Sequence, residues 1–382
     1  MNILHTLQPG KIGGTETHVL DLVHNLDETN FRSVVVSFTG GVFVERLKKM
    51  GITCYIVPTT KPFDPRIWKK LREIGQKEKI DVIHAHGTCA ASNSIFMAKS
   101  MQLPLIYTIH SWAFTHSSNR LKFRVKKGIE RFLISKSQRN IVISDTDLQL
   151  GVEKLKMRKA KLISYGVNTT HYHPNRDSKI TKSSLCIPSD KTIVGFINAF
   201  STLKDPFTLI KAFAAAIKVS PEIHLLMVGE GPLKQKCVQL INEKGISENV
   251  SLIPARTDVA DILCHIDIFC YPSTSKISPI GILEAMAMKK SIITTPMGGI
   301  TELIDTNLDG ILCASGNVQD WASAIVQLHQ NPKLRNELGE RARQLVQSFH
   351  DIKRMTESIG AVYKSLLNKD SLHDEARPYI RA

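Results

Sequence analysis

The sequence predicts an α/β protein made of two Rossmann-like, doubly wound domains. Three observations carry that expectation. Short β-rich runs alternate with amphipathic stretches from the N-terminus to about residue 165, which is the βαβ rhythm of an open parallel sheet. A polar stretch, "GVNTTHYHPNRDSKITKSSLCIPSDKT", then interrupts the rhythm, and the alternation resumes near residue 193. The length, 382 residues, suffices for two ordinary domains.

In chain order, the first half offers candidate strands at 2–7, 33–38, 54–57, 82–84, 105–109 and 140–143. Between the first two, residues 16–26 place Val19, Leu20, Leu22, Val23 and Leu26 at helical spacing. The second half offers strands at 193–198, 224–228, 250–253, 268–271 and 291–295. Helical patterns lie at 208–218, 233–244 and 321–328, with another starting near Gly281. The expected division is a first domain at 1–167, a linker at 168–192 and a second domain at 193–354. A terminal helix, about 355–375, is expected to cross back to the first domain. A crevice between two such domains is the default place for a ligand.

Composition narrows the function classes. Lys plus Arg is 50 against 35 for Asp plus Glu, a net charge of +15, so an anionic partner is expected. No RNP, zinc-finger or KH signature supports nucleic acid. No apolar run approaches a membrane span, and "MNILHTL" reads as a first strand and not a signal peptide. The expected location is therefore the cytoplasm. The seven cysteines are scattered without a CxxC pair, so a disulfide framework is not expected and most should be small core residues. GxSxG, HExxH and P-loop patterns are absent.

Several stretches could carry chemistry. "QPGKIGGTETHVL" follows the first strand and opens a helix; Gly13 and Gly14 let a ligand approach helix N–H groups, or simply make a tight turn. His84, His86 and His110 fall at strand ends, where doubly wound sheets face their ligands. No acidic or cysteine ligand spacing accompanies them, so no metal is expected. Lys204 precedes a predicted helix and is placed to neutralise a phosphate, or to sit in solvent. "LLMVGEGPLKQK" reads as strand, glycine turn and helix. The segment from Asn119 to Arg139 is strongly basic around the single acid Glu130, with Phe123, Ile129, Phe132 and Leu133 as apolar anchors. It suits an anionic membrane surface, or a solvated helix face over a core-facing stripe.

Taken in order, "GGTE", "DVIHAHG", "YTIH", "LKDPFTLIKAF", "LLMVGEGP", "VSLIPARTDVADILCHIDIFCYPS" and "LEAMAMKKSIITTPMGGITELI" resemble the retaining, GT-B-fold glycosyltransferases of family 4 over nearly the whole chain. The resemblance implies two Rossmann-like domains facing across a cleft, the first binding the acceptor and the second a nucleotide-sugar donor. It implies that Glu284 is the second acid of an E-x7-E motif and holds the ribose hydroxyls. It also implies that Lys204 grips the donor diphosphate and that His110 lies near the reacting sugar. These three are the expected catalytic residues. Gly13, Gly14, Lys276, Pro279, Ile280, Gly298 and Gly299 complete the implied donor side, with Glu302 in the helix that follows. Thr15, Glu16, His84 and His86 form the implied acceptor side, and main chain at 254–257 meets the base. The implied mechanism needs no metal or other cofactor. The implied partners are a nucleotide sugar and a glycan or lipid-linked acceptor, in surface polysaccharide or lipopolysaccharide synthesis.

The chain departs from the family pattern at four positions. Lys276 stands where the first acid of the motif belongs, and Ala199 where a second phosphate-binding arginine belongs. Tyr165 and Asn168 replace the asparagine and aspartate of an "NGVD" segment. Losing the arginine removes a charge-assisted contact of about 1.5–3 kcal/mol. A catalytically degenerate partner subunit and a nucleotide-sugar epimerase are the alternatives to an active transferase.

Overall fold

The computed structural model describes residues 1–9, 13–115, 119–274, 280–306 and 308–367. It divides into two compact units, one formed by Met1–Gly166 and Ile352–Ala382, the other by Val167–Asp351.

The first unit begins β1 (Asn2–Leu7), α1 (Gly14–Asn25), β2 (Arg32–Ser37), α2 (Val42–Lys49), β3 (Thr53–Ile56), α3 (Trp68–Lys77), β4 (Val82–His86) and α4 (Thr88–Met101). It continues β5 (Leu105–Ile109), α5 (Arg120–Lys136), β6 (Arg139–Val142), α6 (Asp145–Leu155) and β7 (Ala160–Leu162). Its described strands form a parallel sheet in the order β3-β2-β1-β4-β5-β6-β7. Helices cover both faces, which is why β1, β4 and β5 are buried along almost their full length. The short edge strand β7 had no signal in the sequence, because its three residues are only half-buried and show no alternation.

The second unit contains β8 (Thr192–Ile197), α7 (Pro206–Ala216), β9 (Ile223–Val228), α8 (Lys234–Glu243), β10 (Val250–Ile253), α9 (Val259–Cys264) and β11 (Ile268–Tyr271). Next come α10 (Ile280–Ala287), β12 (Ser291–Thr294), α11 (Ile300–Leu303), β13 (Ile311–Leu312), α12 (Val318–Gln330) and α13 (Pro332–Phe349). Its described strands run parallel in the order β10-β9-β8-β11-β12-β13. The last helix, α14 (Ile352–Leu367), belongs to the first unit. Its Ile352, Met355, Ile359, Val362 and Tyr363 share a core with Ile3, Leu22, Val82, Ile106 and Ile141. An apolar stripe at this spacing has to be covered, and this sheet face covers it.

The polar stretch 168–192 is fastened within the second unit. Arg176 forms an ion pair with Asp261 (2.9 Å), and the Ser178 hydroxyl lies 3.0 Å from His265 Nε2. Of the seven cysteines, Cys237, Cys270 and Cys313 are buried, while Cys186 is exposed. The expectation that most fill the core is corrected to these three.

Both sheets reverse strand order at one point: β1 and β4 flank it in the first unit, β8 and β11 in the second. Loops leaving the C-terminal ends of those strand pairs diverge to opposite faces, and that is where open α/β sheets bind their ligands.

Candidate active site

In the second unit, Lys204 ends the loop after β8, and Glu284 lies on α10, the helix after β11. They therefore flank the reversal point. Lys204 Nζ donates to the Tyr271 hydroxyl (2.5 Å) and lies 4.8 Å from that ring's centroid, so Tyr271 at the end of β11 holds the ammonium in place. Asp205 follows in a left-handed conformation (φ 39°), caps α7 through Thr208 N–H, and is followed by Pro206 at the first helical position. That arrangement sets Lys204 at a helix start, where backbone N–H groups add to its charge.

The loop is braced from two sides. Thr274 N–H and Ser273 Oγ both donate to Leu203 O (2.9 and 3.0 Å). On the other side, Phe200 N–H donates to Glu230 O and Leu233 N–H to Phe200 O. This explains "GEG" in "LLMVGEGP". A Cβ at Gly229 (φ 156°) would meet Asn198 O at 1.9 Å, and one at Gly231 (φ 159°) would meet Phe200 O at 2.4 Å. The two glycines let the β9 turn press against the loop that carries Lys204. The sequence showed only a turn at that place.

Glu284 is half-buried, and its Oε1 accepts from the Tyr172 hydroxyl (2.8 Å). Arg343, buried on α13, in turn donates to Tyr172 O (3.1 Å) and to Ala287 O at the end of α10, the helix that carries Glu284. The carboxylate thus has an oriented partner on a braced segment. Tyr172 was missed from sequence because it lies 112 residues from Glu284, inside the stretch read as a polar linker. Ile280 buries its side chain, so only its main chain can face a ligand. Gly298 (φ 52°) and Gly299 open α11, a helix of one turn that includes Glu302. Lys276 and Pro279 lie outside the described residues. Ala199 is exposed and puts no cation beside Lys204. The stretch 254–257 follows β10, and its Arg256 pairs with Asp258.

In the first unit, five histidines converge below the β1/β4 reversal. His5, His18, His84, His86 and His110 are all buried. Register places His5 beside His84 and His86 beside Thr108. Burial holds His5 down to about 3 and His18 to about 4, and holds the other three well below the ordinary imidazole value. All five are neutral at pH 7.

Their partners separate their roles. His84 has both ring nitrogens occupied, Nδ1 by the Tyr363 hydroxyl and Nε2 by Thr108 Oγ1 (2.6 Å each). Both nitrogens are therefore spent within the fold, which gives His84 a structural task. Among the described residues, three of these rings keep unpartnered nitrogens: His86 Nε2 lies 3.3 Å from His5 Nδ1, leaving Nδ1 without a hydrogen-bond partner. His110 Nδ1 lies 2.7 Å from the Tyr165 hydroxyl, leaving Nε2 without one. Both nitrogens of His18 are also unpartnered. His18 was missed, yet its place between Thr15 and Val19, Leu22 and Val23 puts it on the inward stripe of α1.

One ring nitrogen each of His18, His86 and His110 lies within 4.8 Å of the others, as do those of His5, His84 and His86. Among the described residues, the first set keeps an unpartnered nitrogen on every member, which the second, with His84 fully engaged, does not. Imidazole nitrogens of this kind suit either a transition metal or sugar hydroxyls.

At the start of α1, Gly13 N–H donates to Glu16 Oε2 (3.0 Å), the side chain serving as a cap. Thr15 is half-buried. A Cβ at Gly14 would meet nothing within 4 Å, so protein packing does not demand a glycine there. Two departures from the family pattern find physical accounts. Tyr165 supplies the hydroxyl that orients His110. Asn168 Oδ1 accepts from Thr170 and His171 N–H, a turn in which an aspartate would act alike.

Comparison with known proteins agrees with this architecture. Residues 12–171 match the family model described as "Glycosyltransferase Family 4", and residues 177–345 match "Glycosyl transferases group 1". The chain belongs to the GT-B-fold glycosyltransferases of family 4. It is 26% identical, over 84% of its own length and 84% of the relative's, to N-acetyl-alpha-D-glucosaminyl L-malate synthase of Bacillus anthracis. It is 22% identical, over 78% and 79%, to an Escherichia coli UDP-Gal:alpha-D-GlcNAc-diphosphoundecaprenol alpha-1,3-galactosyltransferase. Among solved structures, Anabaena HepE in complex with UDP and glucose superposes with a TM-score of 0.83 at 21% identity, covering 96% of this chain and 100% of that one. That last likeness shows the fold.

Proposed function

We propose that the protein is a retaining glycosyltransferase that moves a sugar from a nucleoside-diphosphate donor to a hydroxyl of a glycan or lipid-linked acceptor. The observation that carries this is the pair Lys204 and Glu284 flanking the β8/β11 reversal, each held by its own tyrosine. Glu284 accepts the ribose hydroxyl protons. Lys204 and the start of α7 stabilise the charge that builds on the departing diphosphate, the work a divalent cation does in other enzymes. The bond from the anomeric carbon to the phosphate oxygen breaks, the acceptor oxygen bonds to that carbon from the same face, and its proton passes to the departing phosphate. With Tyr165 donating to His110 Nδ1, Nε2 carries a proton and donates to a sugar hydroxyl. His86 and His18 serve the same sugar-facing role. The diphosphate-lipid acceptor in the name of the E. coli relative supports a lipid-linked acceptor, with synthesis of a surface polysaccharide at the inner face of the cytoplasmic membrane as the setting.

Calorimetric titration with UDP, GDP, ADP and CMP tests the donor half. One nucleotide should bind at micromolar strength, and Glu284→Ala should weaken it at least tenfold. Lys276→Glu, measured alongside, shows whether that lysine helps hold the phosphates. Absence of binding to all four would overturn the reading in favour of a degenerate subunit. Conversion of a nucleotide sugar with no acceptor present would identify an epimerase. Transfer should survive EDTA; a loss reversed by added divalent metal would reassign His18, His86 and His110 as metal ligands.

A further inference from the structure

The basic helix α5 carries two apolar stripes, one packed on the protein and one largely exposed. Ile129 and Leu133 pack into the core of the first unit, and Phe123 stacks edge-on against Phe114 (5.4 Å). Three of the four anchors expected from sequence are therefore committed inward. A second stripe, Leu121, Val125 and Phe132, is 71%, 54% and 42% exposed, with Phe132 keeping one ring contact to Phe63 (6.0 Å) at its inner edge. Their spacing of 4, 7 and 11 residues puts all three within about 40° of one line along the helix.

The charge pattern around that stripe is one-sided. Arg124 and Arg131 flank it on one side and Lys122 on the other, all exposed. The helix's single acid, Glu130, is fully buried, where Tyr107 Oη–H and Thr88 Oγ1 donate to its carboxylate (2.9 and 2.7 Å). Among the described residues, no cation of α5 has an ion-pair partner. The first turn holds Arg120 and Lys122 and no acid, although cations there oppose the helix dipole. Residues 119–126 are all exposed, and from this segment Phe123 reaches back to the Phe114 ring. Stability does not account for this arrangement.

We propose that α5 docks on an anionic lipid bilayer, with Leu121, Val125 and Phe132 entering the headgroup–acyl boundary and the flanking Arg and Lys pairing with lipid phosphates. An apolar stripe between cationic flanks is the geometry of an interfacial helix, and each cation adds attraction to an anionic leaflet. Nucleic acid would match the charge and leave the stripe in water. The proposal deepens the reading of a lipid-linked acceptor, but it is tested without any sugar nucleotide, so the two fail independently.

The test is co-sedimentation of the full chain with vesicles of pure phosphatidylcholine or of phosphatidylcholine with 30 mol% phosphatidylglycerol, across a salt series. Wild type should bind only the anionic vesicles, more weakly as salt rises. Arg124→Glu with Arg131→Glu should cut the partition coefficient 10- to 100-fold, and Leu121→Ser with Val125→Ser about tenfold. All four positions are exposed, so the thermal transitions should stay where they are; a drop would call for the single variants. Equal binding to both vesicle types, or to neither, would overturn the proposal. So would anionic binding unchanged by the serine pair, which would mean charge attraction without insertion, and so would binding of single-stranded oligonucleotides in place of vesicles.

Discussion

Lowering the pH from 7.5 to 5.5 should destabilise the first unit selectively. His5 and His18 are buried and held at about 3 and about 4, against about 6.5 in an unfolded chain. Between those values the unfolded state binds protons that the folded state refuses, so stability is full above pH 6.5 and falls as the pH drops towards 4. One unit below 6.5, each such histidine costs about 1.4 kcal/mol. The two together give about 3 kcal/mol, and His84, His86 and His110, shifted in the same direction, add to it. For a unit of this size, about 3 kcal/mol lowers the midpoint by roughly 6–12 °C. The second unit has fewer such groups, chiefly His224, held at about 4, and His171. Hydrogen exchange read by mass spectrometry separates the two units. Amides of β1, β4 and β5 should lose protection at pH 5.5, once intrinsic exchange is corrected, more than those of β8 and β9. Equal loss in both sheets, or none, would refute the claim that the histidines are held neutral by burial.

Two further outcomes follow from single contacts. Tyr172→Phe removes the donor to Glu284 without leaving a cavity, so nucleotide affinity should fall roughly 3- to 10-fold, as expected for one hydrogen bond of about 1 kcal/mol; calorimetry against wild type checks this, with an unchanged thermal midpoint as the control for folding. Gly229→Ala drives a Cβ into Asn198 O in a backbone region that disfavours side chains, so the second unit should lose more than about 2 kcal/mol in urea unfolding while the first is unaffected.

Much of the protein was legible in its sequence because parallel strands buried on both faces leave continuous apolar runs between helical stripes. Strands 2–7, 105–109, 250–253 and 268–271 were placed to the residue for that reason. Lys204 and Glu284 were singled out by resemblance to the family's motifs, since a lone lysine before a helix reads equally as a solvated side chain. Sequence spacing could not reveal what each functional group touches. Tyr172 and Glu284 are 112 residues apart, and His84 meets Tyr363 across 279. Thr108 on the neighbouring strand and Tyr363 on α14 together make His84 structural, while His86 Nδ1 and His110 Nε2 stay unpartnered among the described residues. Nor could periodicity say which stripe of α5 faces the core, because both of its stripes repeat at helical spacing. The sequence by itself determined the two sheets and the residue types at their edges, which depend on contacts close along the chain. The tertiary structure decided which of those residues are engaged, oriented or exposed, because burial and hydrogen bonding depend on neighbours that the chain order does not bring together.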